Sequence, residues 1–434
     1  MSSVKNAAEI SGAASGSGAE DFDEWERVRE DGEAPQASEA APELSVAEAE
    51  RTEQDAPETF QSVQASALGP VAIDISHDPL ASEKLRILGG DTIESCFEIA
   101  NILHLNRNVQ EAAYFYRRAF DLHDKVPTHF PTAPVLLQVS LLCKLKAGEN
   151  LASEELAELE RYCIPFADYI RGMEKAWRQG DYEGAFRQIG NAYEEFHTGE
   201  EVDSLTLEVM RRLYGEWLIP QGDRPQKRIP KNIFLYWDAN PPPEIDENFR
   251  RHREIEGFNV QIFDKERAAN WLYQYYGVEA RSMFLSARHP AEAADFLRVH
   301  VINLLGGWWL DADLRINGPE ALKMMAEETA GTALFLTHNN VVHNDFFGSV
   351  PNSELLNDCL LSLYRNGYQH SGLYIAYKTG PGIFNRALNR LMHRLVNGME
   401  ISTSMRVRDH EAFPVWTEEF DTPYKHNLPS WHAA

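Results

Sequence analysis

The pattern of apolar and polar positions divides the chain into three stretches. From about residue 228 to the C-terminus, short apolar runs bounded by polar turns alternate with longer segments of helical period, which predicts an α/β domain. Residues 233–237 and 258–263, the latter ended by Asp264, predict two strands. Residues 308–310 predict a third strand and residues 333–337 a fourth. Residues 268–276 and 291–305 predict helices, the second opened by Pro290 and stopped by Gly306 and Gly307. Between about residues 91 and 214 the period is helical throughout. Ala112, Ala113, Phe115 and Ala119, and later Ala185, Ile189 and Ala192 behind the Gly180-Asp181-Tyr182 turn, sit where the second helix of a tetratricopeptide-like repeat packs. Ordinary antiparallel helix pairs produce a similar alternation. The first eighty residues are rich in Ala, Ser, Gly, Glu and Asp and poor in large apolar side chains. Such a stretch cannot bury enough surface to offset its ordering entropy and is expected to be disordered. The organisation expected is an acidic tail over residues 1–80, a helical-repeat module over 81–218 and an α/β domain over 219–434.

The chemistry concentrates where the third strand ends. Leu304, Leu305, Gly306, Gly307, Trp308, Trp309 and Leu310 run directly into Asp311-Ala312-Asp313. If the strand continues, its period of two sends both carboxylates to one face, about 6–7 Å apart. Two carboxylates so close repel unless a cation lies between them, and a hard divalent ion with oxygen ligands suits the pair. In the preceding helix Asp295 and Arg298 are three apart and share a face. The plainer alternatives are a solvated turn for Asp311 and Asp313 and a surface ion pair for Asp295 and Arg298. A helix otherwise so apolar favours an acid and base turned into a polar cleft. In open α/β sheets ligands gather beyond the carboxyl ends of the strands, where these acids fall.

Composition narrows the class. The 434 residues carry 41 Lys and Arg against 67 Asp and Glu, a formal net charge of -26, about half of it in the first eighty residues. That balance excludes a nucleic-acid-binding role, which needs a basic face. Cys96, Cys143, Cys163 and Cys359 are scattered and form no Cys-x-x-Cys, as expected of a reducing compartment. The first residues show no apolar signal core, and no apolar run reaches the ~18 residues that span a bilayer. A cytoplasmic enzyme is the expectation.

Ala291-Glu292-Ala293-Ala294-Asp295-Phe296-Leu297-Arg298, the apolar stretch, Gly306-Gly307-Trp308 and Asp311-Ala312-Asp313 together resemble the signature of the DXD-motif (sugar-binding region) glycosyltransferases. That family includes relatives of fungal initiating mannosyltransferases, bacterial capsule and lipopolysaccharide transferases, and the large clostridial glucosylating toxins. Further similarities lie at Ile229 to Trp237, at Thr379-Gly380-Pro381-Gly382 and at His426-Asn427-Leu428-Pro429-Ser430-Trp431, so the resemblance spans roughly half the chain. It implies a GT-A-type nucleotide-sugar-binding domain. It implies Trp237 stacked on the nucleobase, and Asp295 and Arg298 on sugar hydroxyls and diphosphate. Asp311 would contact the ribose or sugar, and Asp313, with Asp311 and His426, would hold Mn²⁺ or Mg²⁺. Ser430 and Trp431 would close over the diphosphate, and Asn344 would face the acceptor.

Two departures stand out. Ala294 replaces a frequent serine, and Trp309 a usual tyrosine; both bear on donor preference and neither removes a charged group. The reading is a metal-dependent transferase that moves a sugar from a UDP- or GDP-sugar to a glycan, lipid-linked or protein acceptor, as in polysaccharide biosynthesis, with retention implied by the resemblance. The helical module would recruit a peptide or self-associate. One alternative is an interaction protein whose transferase-like domain is non-catalytic; another is a phosphohydrolase using the same acids.

Overall fold

The computed structural model describes residues 69–196, 201–220 and 227–426. The expected tail lies largely outside them. Residues 69–80 nevertheless belong to the fold: Ile75 is buried, and the Asp78 carboxylate accepts the Ala81 N–H to cap the helix Pro79–Leu88.

Helices Ile93–Leu105, Val109–Leu122, Ala133–Lys146, Ser153–Tyr162, Ile164–Glu174 and Tyr182–Ile189 follow, successive members packing side by side. Ala112, Ala113 and Ala119 are fully or almost fully buried where Val109–Leu122 meets its neighbours, and the Ser140 hydroxyl donates to the Ala113 carbonyl at 2.8 Å. Small residues at those positions let the helices approach closely.

The rest is a mixed sheet between helical layers. Its strands are β1 (Trp217–Ile219), β2 (Asn232–Tyr236), β3 (Asn259–Phe263), β4 (Gly307–Leu310), β6 (Thr332–Phe335), β7 (Phe346–Ser349) and β8 (Met405–Arg408), while β5 (Leu314–Ile316) and β9 (Thr417–Glu419) form a separate antiparallel pair. The seven-stranded order is β1-β8-β6-β7-β4-β2-β3. β3, β2 and β4 run parallel, and β7 lies antiparallel against β4 with Leu310 opposite Phe346. Alternation divides the strand residues between two cores. Phe234, Trp309 and Phe347 join the apolar cluster shared with the helices, while Ile233, Leu235, Trp308, Leu310 and Phe346 form a second on the opposite face.

The helical segment is not separate from this sheet. Residues 217–219, astride the boundary expected between the helical module and the α/β domain, form β1 and pair with β8. Just before them, helix Glu201–Tyr214 packs on Pro381–Val396 through Asp203 and Arg386, both fully buried side chains. Their contacts are Nε–Oδ1 at 2.7 Å and Nη2–Oδ2 at 3.0 Å. The strand expected over 233–237 lies one residue earlier, and that expected over 258–263 starts one residue later and ends as expected. The helix expected over 268–276 is the first part of Lys265–Leu285, whose turn at Gly277 (φ 86°) breaks the helical path before it resumes. Among the described residues no helix is long and apolar enough to cross a membrane.

Candidate active site

The motif helix Pro290–Leu305 begins with a His289 side chain that accepts the Ala291 N–H and ends at Gly306, φ 65°. Gly307 follows at φ 127°, where a Cβ would meet the Asn232 carbonyl oxygen at 2.7 Å. Only glycine lets the chain reverse this tightly and enter β4 beside β2. The turn carries Asp295 and Arg298 back over the carboxyl end of β4.

There the residues converge. Arg298 Nη2 donates to both oxygens of Asp311, at 2.8 and 3.1 Å. Its Nη1 donates to the Asn344 carbonyl at 2.7 Å and lies 3.1 Å from Asp295 Oδ1. The Asn344 amide donates to Asp295 Oδ1 at 2.9 Å, the Thr379 hydroxyl to Asp295 Oδ2 at 3.0 Å, and the Trp309 indole to Asp311 Oδ1 at 2.6 Å. Asp295, Arg298, Asp311 and Asn344 therefore form one network. Arg298 Nε, buried, has no hydrogen-bond partner.

Asp313 stands beside this network, reached from elsewhere. β4 ends at Leu310; the Asp311 N–H donates to the Asp345 carbonyl at 2.8 Å and the Leu314 N–H to the Asp311 carbonyl at 3.1 Å, closing a turn into β5. Strand alternation therefore does not set the two carboxylates, as the expectation from period two required. Lys425 Nζ lies 3.0 Å from Asp313 Oδ2, and the Tyr424 hydroxyl donates to the same oxygen at 3.4 Å. Tyr424 also meets the half-buried Trp237 ring edge-on, centroids 5.2 Å apart at 87°, so the C-terminal segment touches both Asp313 and the residue that follows β2.

Charge is crowded here. Burial pushes the Asp311 carboxyl well above the usual range, the Asp313 and Asp345 carboxylates add to that push, and Arg298 and the Trp309 N–H oppose it. Burial likewise raises Asp295 to about 6 against the pull of Arg298, Thr379 and Asn344. For Asp345, burial is outweighed by His343 and Arg298, which hold it below the ordinary value; His343 Nδ1 is 3.2 Å from its carboxylate and the ring stacks on Phe413 at 3.7 Å. Such an excess of oxygen ligands suits a hard divalent cation. Asp311 and Asp313 are the carboxylates that could hold one.

Two clefts flank the network. One of about 640 Å³ is lined by Arg288, Glu292, Phe296, Tyr368, Lys378 and Thr379, and reaches Asp295 through the Thr379 hydroxyl. The other, about 170 Å³, is lined by Asp238, Lys265, Arg288, His289, Pro290 and Ala293, just past Trp237 at the start of the motif helix. Neither is lined by Asp311 or Asp313.

Of the residues singled out in the sequence, Asp295, Arg298, Asp311 and Asn344 come together directly, with Asp313 and Trp237 alongside. The backbone of His426 closes the turn Pro423–His426, but its side chain, Ser430 and Trp431 lie outside the described residues. Reading the sequence missed Asp345, Tyr424 and Lys425 and assigned Thr379 no contact. The Thr379-Gly380-Pro381 turn marked the right segment without showing what it held.

No family model matches the chain, and no curated protein does. Among solved structures, the chain is similar to one titled PaToxG Glycosyltransferase, with 16% identity and a TM-score of 0.33 over 45% of this chain and 80% of that one.

Proposed function

We propose that this protein is a metal-dependent glycosyltransferase that moves a sugar from a UDP- or GDP-sugar to a hydroxyl-bearing glycan, lipid-linked or protein acceptor, with retention at the anomeric carbon. The observation that carries the reading is the joining of Asp295, Arg298 and Asp311 into one hydrogen-bonded unit at the carboxyl end of β4. The signature-like spacing of those residues with Asp313 adds to it.

In this reading Arg298 supplies fixed positive charge where a leaving diphosphate gains negative charge. Asp295, held by Thr379 and Asn344, accepts from sugar hydroxyls and fixes the ring. Trp237 offers an aromatic face to the base. Asp311 and Asp313 would hold Mn²⁺ or Mg²⁺, which when bound neutralises diphosphate charge. The bond from C1 to the phosphate oxygen breaks, its electron pair leaving with the diphosphate. The bond from C1 to the acceptor oxygen forms, and the acceptor proton passes to the departing phosphate. No side chain is assigned as base. The helical segment is proposed to recruit the acceptor.

Incubation with a panel of UDP- and GDP-sugars and Mn²⁺ tests the proposal, read as transfer or slow donor hydrolysis. Turnover or thermal stabilisation by one donor, lost in Asp313→Ala, is expected. If no donor binds or turns over, and Asp313→Ala behaves as the parent chain does, the reading fails.

A further inference from the structure

Away from the carboxylate network, His123, Asp124 and His129 converge on the loop between helices Val109–Leu122 and Ala133–Lys146, their ligand atoms within 4.8 Å of one another. Asp124 Oδ1 lies 3.3 Å from His123 Nδ1 and 3.1 Å from His129 Nδ1. A tetrahedral zinc ion with bonds of about 2.0–2.1 Å separates its ligand atoms by roughly 3.3 Å. Two edges of a coordination polyhedron therefore already exist.

The far nitrogens supply an independent observation. His123 Nε2 is 3.1 Å from the backbone carbonyl of His129, and His129 Nε2 is 3.7 Å from the Glu94 carboxylate. Histidines that bind metal give their second N–H to a carbonyl or carboxylate, which leaves the other nitrogen's lone pair for the ion. His123 has that arrangement, and both rings turn Nδ1 toward Asp124. The His123 side chain is fully buried, whereas Asp124 and His129 are 47% and 33% exposed, so an ion can arrive from solvent and keep a water.

Two backbone amides already use part of the site. The Lys125 N–H donates to His123 Nδ1 at 2.7 Å, which identifies that nitrogen as the one carrying the lone pair; an ion must displace this amide. The Val126 N–H donates to Asp124 Oδ1 at 3.1 Å, and a carboxylate oxygen has room for both an amide and an ion.

We infer that His123, Asp124 and His129 bind one divalent transition-metal ion of the zinc class, clipping this loop to the helix before it. Two imidazoles with one carboxylate select such an ion over Mg²⁺. The inference stands independently of the transferase reading.

The test uses the full chain, stripped with chelator and titrated with Co²⁺ alone, because four-coordinate Co²⁺ absorbs intensely in the visible. One equivalent should develop that absorption and raise the melting temperature by a few degrees. Asp124→Asn and His129→Ala, at half-exposed positions that leave the helices intact, should each abolish it, while Asp313→Asn should leave it unchanged. No intense absorption in the parent chain, or absorption that survives His129→Ala and Asp124→Asn, overturns the inference, and so does loss in Asp313→Asn alone.

Discussion

Arg298 grips Asp311 with a single nitrogen, Nη2, which reaches both carboxylate oxygens at 2.8 and 3.1 Å, while its Nη1 is shared between Asp295 and the Asn344 carbonyl. One guanidinium therefore spans two acids brought from a helix and a strand end. A point-charge ammonium cannot span them, because the planar fork fixes two directions at once. Arg298→Lys should keep the fold and lower kcat/KM by about 10²–10³, the usual cost of losing a charge-stabilising donor. Arg298→Ala should also destabilise by about 3–5 kcal/mol, since it leaves buried carboxylates unpaired. Steady-state kinetics beside urea unfolding separates the two effects; parent-like kcat/KM in Arg298→Lys would remove Arg298 from the chemistry.

Lys425 places its ammonium 3.0 Å from Asp313 Oδ2, where a divalent ion would have to compete with it. Removing that competitor should lower the metal concentration needed for half-maximal activity. Lys425→Met is expected to shift the Mn²⁺ activation curve to severalfold lower concentration, a change of about 1 kcal/mol. Asp313→Asn should weaken activation in the opposite direction and leave the melting temperature within a degree or two. An Mn²⁺ curve unmoved in Lys425→Met, with turnover reduced, would instead make Lys425 a phosphate ligand.

What could be read from the sequence was local. Gly306-Gly307 and the apolar run before Asp311 disclosed the motif helix and β4, because a turn that only glycine can make sits between two apolar periods. The i, i+3 pairing of Asp295 with Arg298 was legible for the same reason. Partners drawn from afar were not: Thr379 meets Asp295 across 84 residues and Asn344 across 49, and no period reports on such closures. Two strand features also escaped. β1 is three residues long, shorter than any window of alternation, and the acids after Leu310 leave the strand that was meant to orient them. Met405-Arg406-Val407-Arg408 does alternate, yet β8 was not among the strands expected.

Asp203 and Arg386 join the helical segment to the helix that follows Thr379, both side chains without solvent exposure. The Asn389 amide donates to Asp203 Oδ1 at 2.8 Å, so loss of the carboxylate charge disturbs several bonds together. Asp203→Ala should cost about 3–5 kcal/mol by removing the buried acid on which the guanidinium makes two hydrogen bonds. A fragment beginning at residue 219 should fail to fold, since it lacks both this pair and β1. Urea denaturation of the variant and circular dichroism of the fragment are the measurements, and a stably folded fragment would show that the sheet needs neither.

Desolvated histidines and desolvated carboxyls pull the pH dependence of stability in opposite directions. His300 has no solvent exposure; its Nδ1 is 2.7 Å from the Phe296 carbonyl and its Nε2 3.0 Å from the Tyr364 hydroxyl. Burial pushes it down to about 4, and burial together with the Lys146 charge pushes His104 to about 4. Both rings are neutral in the folded chain at pH 5–6, whereas the unfolded chain takes up protons below about 6.5. Between about 6.5 and 4 the unfolded state therefore holds more protons, and stability falls as pH is lowered, by up to about 1.4 kcal/mol per pH unit for each ring. Above 6.5 their contribution is complete. Asp295 acts with the opposite sign: raised from 3.8 to about 6, it keeps a proton when folded that the unfolded chain releases, so its cost grows as pH rises through that window. Asp311, also raised by burial, acts in the same direction as Asp295 and opposes the histidines. His300→Gln should lower the slope of unfolding free energy against pH between 6.5 and 5 by about one proton, and Asp295→Asn should raise it. Urea midpoints across that range decide the matter, and an unchanged slope in His300→Gln would mean that His300 is protonated in the folded protein.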